Sequence, residues 1–142
     1  MATKANEEKK AFLRRYRTLL RREKEIQSEI ESVRSRYTGQ AITYSDMPKA
    51  FNSERDLSDY AAAVGLLLDA LEDIQKDIIV QHHLISESIE AMEDENEKEL
   101  LRMRYIMGMK WEDIAYRMCY HLRWVHELHG RALAHFTPKT AF

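Results

Sequence analysis

Four side chains able to bind a soft or borderline metal lie close together near the C-terminus: Cys119, His121, His126 and His129. A zinc site needs four such ligands at spacings that a turn or a helix can converge. These spacings match no standard finger, and two of the histidines fall where a helix reads or packs. No metal is expected there, and no cofactor elsewhere. The chain has no phosphate-cradling glycine loop, nucleophile elbow or zincin helix. The carboxylates of residues 54–95 fall on a helix flank facing solvent, and His82 and His83 are read as surface residues. An enzyme has no residues to rest on.

Charge is the more informative chemistry. The net charge of −2 conceals a segregation along the chain. Residues 1–44 hold 11 basic and 6 acidic side chains, a balance of +5, and residues 45–95 hold 3 and 13, a balance of −10. Residues 96–142 hold 8 and 5, or +3, with four of the six histidines. A nucleic-acid surface therefore belongs at the ends and not in the middle. The N-terminal run Lys9, Lys10, Arg14, Arg15, Arg17, Arg21, Arg22 and Lys24 could flank DNA. It suits equally well salt bridges to the acidic second helix, which is the reading favoured.

The elements that must position these groups are helices. With 4 Gly, 2 Pro and 32% charged residues, the composition is helix-rich. Cys119, the lone cysteine, excludes an intrachain disulfide and fits a reducing compartment. No apolar run approaches a membrane span and no secretory signal is evident, so a cytoplasmic protein is expected.

Phe12, Tyr16, Leu19, Glu23, Ile26, Ile30, Val33 and Tyr37 alternate by fours and threes, a heptad seam that predicts a helix over about 5–37, stopped by Gly39. Leu57, Tyr60, Val64, Leu67, Leu71, Ile74 and Ile78 form a second seam. It continues through Gln81, Ile85, Ser88 and Met92, with Ser53 or Asp56 as cap. Each helix would be roughly 50 Å long. The loop of about 38–55 could bury Ile42, Tyr44 and Met47 over the hairpin end. Two uncovered seams of opposite charge predict an antiparallel coiled-coil hairpin spanning residues 1–95, and seams this long commonly recruit a second copy. A homodimer is therefore expected, and the sequence leaves open whether the seams pair within one chain or between two.

From residue 96 the pattern shortens. It predicts a helix from Glu99 to Ile106 ended by Gly108, then a second over Trp111–Met118. A turn at Cys119-Tyr120-His121 follows, and a third helix from Leu122 to about Phe136 closed by Pro138. The fold class is all-α: a long antiparallel coiled-coil hairpin followed by a C-terminal helix-turn-helix domain over 96–142. Periodicity alone leaves that last part open between a helix-turn-helix and an ordinary small bundle.

Residue order adds a resemblance. Gly108, Glu112, Ile114, Ala115, Val125, Arg131, Ala132 and Leu133 fall in gapless register with the fourth region of bacterial primary sigma factors, over about one fifth of the chain. Two positions depart from that pattern. Cys119 stands where the family turns through Gly, and His121 where Ser or Thr caps the recognition helix. More widely, Val125–Leu133, Leu101–Tyr105, Tyr44–Pro48 and Asp56–Tyr60 resemble small phage and prophage transcription regulators of the RinA and ArpU type.

The resemblance implies a sequence-specific regulator of transcription, a phage late-gene activator, whose partner is double-stranded DNA, with bacterial RNA polymerase as a candidate second partner. In that register Leu122, Arg123, His126 and Glu127 take the base-reading positions. Arg123 would donate to guanine, Glu127 accept from cytosine, and Leu122 meet a thymine methyl. Lys110, Arg117, Trp124, Arg131 and Arg102, with Arg104, would lie along the phosphates. Two other readings compete: a DNA-packaging recognition subunit of the small-terminase kind, and a polymerase-binding adaptor that does not read DNA.

Overall fold

The computed structural model describes residues 3–42 and 53–141, with side chains given for 4–37 and 56–141. It is helical throughout, with no strand among the described residues. The helices are α1 (Thr3–Ile42), α2 (Ser53–Glu90), α3 (Glu95–Leu101), α4 (Trp111–Met118) and α5 (Leu122–His135). A π-helical turn, Arg102–Ile106, continues α3. None of the described helices is long and apolar enough to cross a membrane.

The first two helices form the long hairpin that the two seams predict. The chain divides into two compact units, residues 1–20 with 78–142, and residues 21–77. In the second unit the Tyr37 and Tyr60 rings stack at 4.3 Å, and Gln75 Nε2 donates to Glu23 at 3.2 Å. Ile26 and Ile30 are buried there, whereas Val33, Tyr37, Tyr60, Val64, Leu67, Leu71 and Ile74 are half-buried. Leu57, assigned to the seam, is 52% exposed. In the first unit Gln81 Nε2 donates to the Phe12 carbonyl at 3.1 Å, and Tyr16 packs on His82 at 5.2 Å. Both sets of pairs run antiparallel.

The polar residues that interrupt the second seam are buried and bonded. Gln81 crosses to α1. Ser88 Oγ donates to the Leu84 carbonyl at 2.7 Å and accepts from the Lys139 amide at 2.8 Å, so it fastens the C-terminal tail to α2. Buried polar groups cost free energy only when left unpaired. Among the described residues no buried side-chain nitrogen or oxygen lacks a partner.

Three expected boundaries shift. Gly39 does not stop α1, which continues to Ile42. A glycine inside a helix costs about 1 kcal/mol relative to alanine, which Gln40 and Ala41 can carry through; a stop needs the left-handed backbone. α2 starts at Ser53, which places Asp56 inside the helix and not at its cap. The Ser53 side chain, like Tyr44, Met47 and most of the expected loop, lies outside the described residues. α3 begins at Glu95 and not Glu99, because Asp94 accepts from the Asn96 and Glu97 amides at 2.9 and 3.2 Å. Glu95 and Glu97 then sit in the first turn, where the helix dipole favours acids.

The unit formed by 1–20 and 78–142 holds the main core. Leu13, Ile85, Ile89 and Met92 of the hairpin share it with Leu100, Leu101, Met103, Tyr105, Ile114, Val125, Leu128, Leu133 and Phe136. This shared core is why the compact units cut through both long helices instead of parting at residue 95. Leu13 is off the seam, one residue past Phe12, so α1 carries two apolar faces at its N-terminal end. Polar bonds close the joint. Lys9 Nζ donates to the Leu133 carbonyl at 2.7 Å and Arg17 to the Ile106 carbonyl at 3.4 Å. The buried Glu97 carboxylate meets His135 Nδ1 at 2.9 Å, tying α3 to the end of α5. The favoured reading of the basic run, salt bridges to α2, is thus corrected at Lys9 and Arg17, which bond C-terminal carbonyls. Lys10 and Arg22 are corrected too, since they pair with Glu7 and Glu25 of their own helix.

Removing the Leu13 side chain should therefore loosen the C-terminal helices as well as the hairpin. Leu13→Ala is expected to cost roughly 2–5 kcal/mol in denaturant unfolding. Leu66→Ala, at a position 73% exposed, should stay within about 0.5 kcal/mol of the parent. Equal small losses would show that Leu13 is not a core residue.

Candidate nucleic-acid interface

α4 is short because its ends are set by local geometry. It starts after the extended Lys110 and stops at Cys119, whose backbone is left-handed (φ 60°, ψ 39°). The Tyr120 amide bonds back to the Ala115 carbonyl at 3.0 Å, which closes the turn. Cys119 is the only non-glycine residue with positive φ among those described. The departure noted in sequence is therefore a real strain. The second departure also has a structural counterpart: His121 precedes α5 with extended backbone and makes no side-chain capping bond. Tertiary packing supplies what the missing caps do not. Ile114 and Ala115 on α4, and Val125, Leu128, Ala132 and Leu133 on α5, are buried in one cluster.

With that face committed to the core, the opposite side of α5 faces outward. Leu122 is 40% exposed, and His126 and Glu127 are exposed. Arg123 projects with 93% of its side chain accessible, and its Nε lies 3.8 Å from Glu127. The four residues named as base-reading thus share the outward face of the first turns of α5. An exposed i,i+4 pair of this kind is worth only tenths of a kcal/mol and parts readily for a better partner.

The other named residues do different things. Lys110 and Arg117 are exposed, and their side chains make no hydrogen bond or ion pair among the described residues. Arg117 stands between two open depressions. One, of about 670 Å³, is lined by Met109, Asp113, Tyr116, Arg117 and Cys119. The other, of about 310 Å³, brings Arg117 beside Arg102, Glu95 and Glu99. Arg102 itself is held by an ion pair to Glu90. Arg131 lies over the Trp124 ring at 4.9 Å, and Trp124 is half-buried with Tyr120 against its edge. Trp124 is thus a packing platform that also holds a cation at the surface.

Sequence reasoning missed an aromatic stack beside this face. The Trp111 ring lies 5.0 Å from His126 and 4.7 Å from His129, with the Arg104 guanidinium 4.4 Å above it. Arg104 also donates to the Met109 carbonyl at 2.9 Å. His126 is therefore positioned from below by an indole. Tyr116, 89% exposed on α4, was also missed. The signal was available: with Ile114 and Ala115 inward, helical phase leaves Tyr116 outward.

His129 is the buried member of the set. Its Nε2 lies 2.7 Å from the Tyr105 hydroxyl, which donates to it in the tautomer protonated on Nδ1. Burial, reinforced by the positive charges of Lys10, Arg104, His126 and Arg14, lowers its pKa to about 4. Burial likewise raises the Tyr105 phenol above its ordinary value. Both groups are neutral at physiological pH. Among the described residues no three His, Cys, Asp or Glu side chains gather as a metal site.

Comparisons with known proteins find no matching family model, no matching curated protein and no matching solved structure.

Two outcomes follow from the turn and from His129. Cys119→Gly should relieve the left-handed strain and stabilise the fold by roughly 0.5–1 kcal/mol, seen as a melting midpoint a few degrees higher. An unchanged or lower midpoint would mean the turn is unstrained. For His129 the sign runs with acid. Below pH 6.5 the unfolded chain takes up a proton that the folded ring refuses until about pH 4. Stability should therefore fall across that window by roughly 2–3 kcal/mol, allowing for solvent at the ring edge. His129→Gln should flatten that slope, whatever its effect at neutral pH. Parallel slopes in parent and variant would rule out a buried neutral imidazole.

Proposed function

We propose that this chain is a sequence-specific DNA-binding regulator of transcription, which inserts the first turns of α5 into the major groove. One observation carries the reading. Leu122, Arg123, His126 and Glu127 are all outward on a helix whose other side is fully committed to a core. An apolar contact, a guanidinium, an imidazole and a carboxylate on one rigid face form a set suited to distinguishing base edges. Lys110, Arg117 and Arg131 are exposed around it, where phosphates would pass. The reading is of a binding protein and not an enzyme.

The resemblance to sigma region four and to RinA- and ArpU-type proteins supports a phage late-gene activator acting in the host cytoplasm. The exposed Leu57, Leu66 and Leu68 beside a half-buried seam support a homodimer made through the hairpin. A second reading, an adaptor that binds RNA polymerase, has its own support. The exposed Tyr116 over the depression with Met109 is an apolar foothold of the kind a protein partner uses.

A binding selection on random duplex DNA, run at low and at moderate salt, tests the first reading. An enriched motif that survives moderate salt is expected, and a palindromic one would report a dimer. Arg123→Ala and Glu127→Ala should then relax preference at single positions, by roughly 1–3 kcal/mol for each bidentate pairing removed. Arg117→Ala should weaken all sequences alike. Binding that enriches nothing and fades with salt would leave the adaptor reading in place.

A further inference from the structure

The basic residues at the start of α1 are a second feature of the unit that holds α5. Lys9, Leu13 and Arg17 recur at helical spacing and face the C-terminal helices. Lys9 reaches the Leu133 carbonyl, Leu13 is buried, and Arg17 reaches the Ile106 carbonyl. The Arg17 guanidinium also covers Gly108, which has φ +72°. These anchors fix the rotation of α1 and leave Lys10 and Arg14 as the adjoining row, about 6 Å apart along the axis.

That row lies beside α5. Leu122, His126, His129 and Leu133 occupy one row of α5 by helical period, and Lys9 bonds the last of them. Lys10 and Arg14 are near enough to His129 for their charges to act on it, as are Arg104 and His126. Four basic groups thus gather around one neutral ring. Among the described residues only one carboxylate pairs with any of them, Glu7 with Lys10 at 3.1 Å. Arg14 is exposed and makes no hydrogen bond or ion pair among the described residues. No carboxylate of α2 forms an ion pair with Lys10, Arg14, Arg104 or His126 among the described residues. Like charges held together repel, and a polyanion laid across them removes that repulsion.

We propose that Lys10 and Arg14 of α1, with Arg104 beside them, form a second phosphate-binding row that continues the α5 face past His126, so that one duplex contacts the hairpin base as well as the turn. The proposal rests on the DNA-binding reading above. It deepens that reading by giving the base of the long hairpin a direct role in affinity. The row carries charge and no base-reading pattern, so its contribution is independent of sequence and sensitive to salt.

The test is the salt dependence of binding by the full chain to its selected duplex. The parent is compared with Lys10→Ala/Arg14→Ala and with Lys4→Ala/Arg15→Ala. The second pair removes the same charge from exposed positions roughly 110° further round α1 by helical phase, away from the C-terminal helices. The first double variant should lower the slope of log K against log salt by about 2, and weaken binding roughly 10- to 30-fold near 0.15 M salt. Base preference should be unchanged, and the control pair should do much less. If the first pair melts lower than the parent, Lys10→Gln/Arg14→Gln keeps the aliphatic stems and is measured in its place. Equal losses from both pairs would reduce the effect to net charge and overturn the proposal. Parent-like binding by the first pair, with Arg117→Ala still weakened, would overturn it and leave α5 as a reader. A parent that binds no duplex at any salt would overturn both.

Discussion

The structure depends on the docking of the hairpin base against the C-terminal helices. Residues 96–142 alone would be a very small domain, in the size range where a single core is marginal. Here the core is completed from outside: Leu13 comes from α1, and Ile85, Ile89 and Met92 come from α2. Lys9 and Arg17 then satisfy carbonyls at the end of α5 and at the end of the π-helical turn, positions where helices leave acceptors unpaired. The hairpin base is therefore part of the platform on which α5 is held, and not only a spacer.

That arrangement explains how α4 and α5 tolerate weak local signals. Neither helix has a side-chain cap at its N-terminus, and the turn between them runs through a left-handed cysteine. Isolated helices of this length would be marginal in water. What fixes them is burial of Ile114, Ala115, Val125, Leu128, Ala132 and Leu133 in one cluster, with the Trp111 indole wedged between Arg104 and the two histidines. On the proposed reading α5 must be held rigidly to discriminate between sequences, and tertiary packing is what would supply that rigidity.

Much of this was legible in sequence because it rests on period. The two seams, the hairpin, and the boundaries of α4 and the start of α5 follow from where apolar residues recur and where a turn must intervene. The outward set Leu122, Arg123, His126 and Glu127 follows from the same phase. What was not legible rests on the partner of a residue and not its spacing. Nothing local distinguishes Lys9 and Arg17, which bond carbonyls distant in sequence, from Lys10 and Arg22, which pair within α1. Leu13 reads as a neighbour of the seam until the C-terminal core is seen to need it. Gly39 is a stop by composition, yet a glycine ends a helix only where the chain turns left-handed, as at Gly108.

The histidines illustrate how position on one helix row divides chemistry. His126 and His129 are one turn apart on α5, and Trp111 touches both. One is exposed at the outward face; the other is enclosed by Tyr105 and Trp111, and burial holds it neutral. A protonated imidazole at His129 would add a cation where Lys10, Arg14 and Arg104 already gather, so its neutrality limits the repulsion that the cluster must bear. Packing thereby keeps the charge of this region on side chains that can reach outward. The same docking that completes the core of α5 concentrates the cations of α1 at its flank, so stability and surface electrostatics in this unit have a common origin.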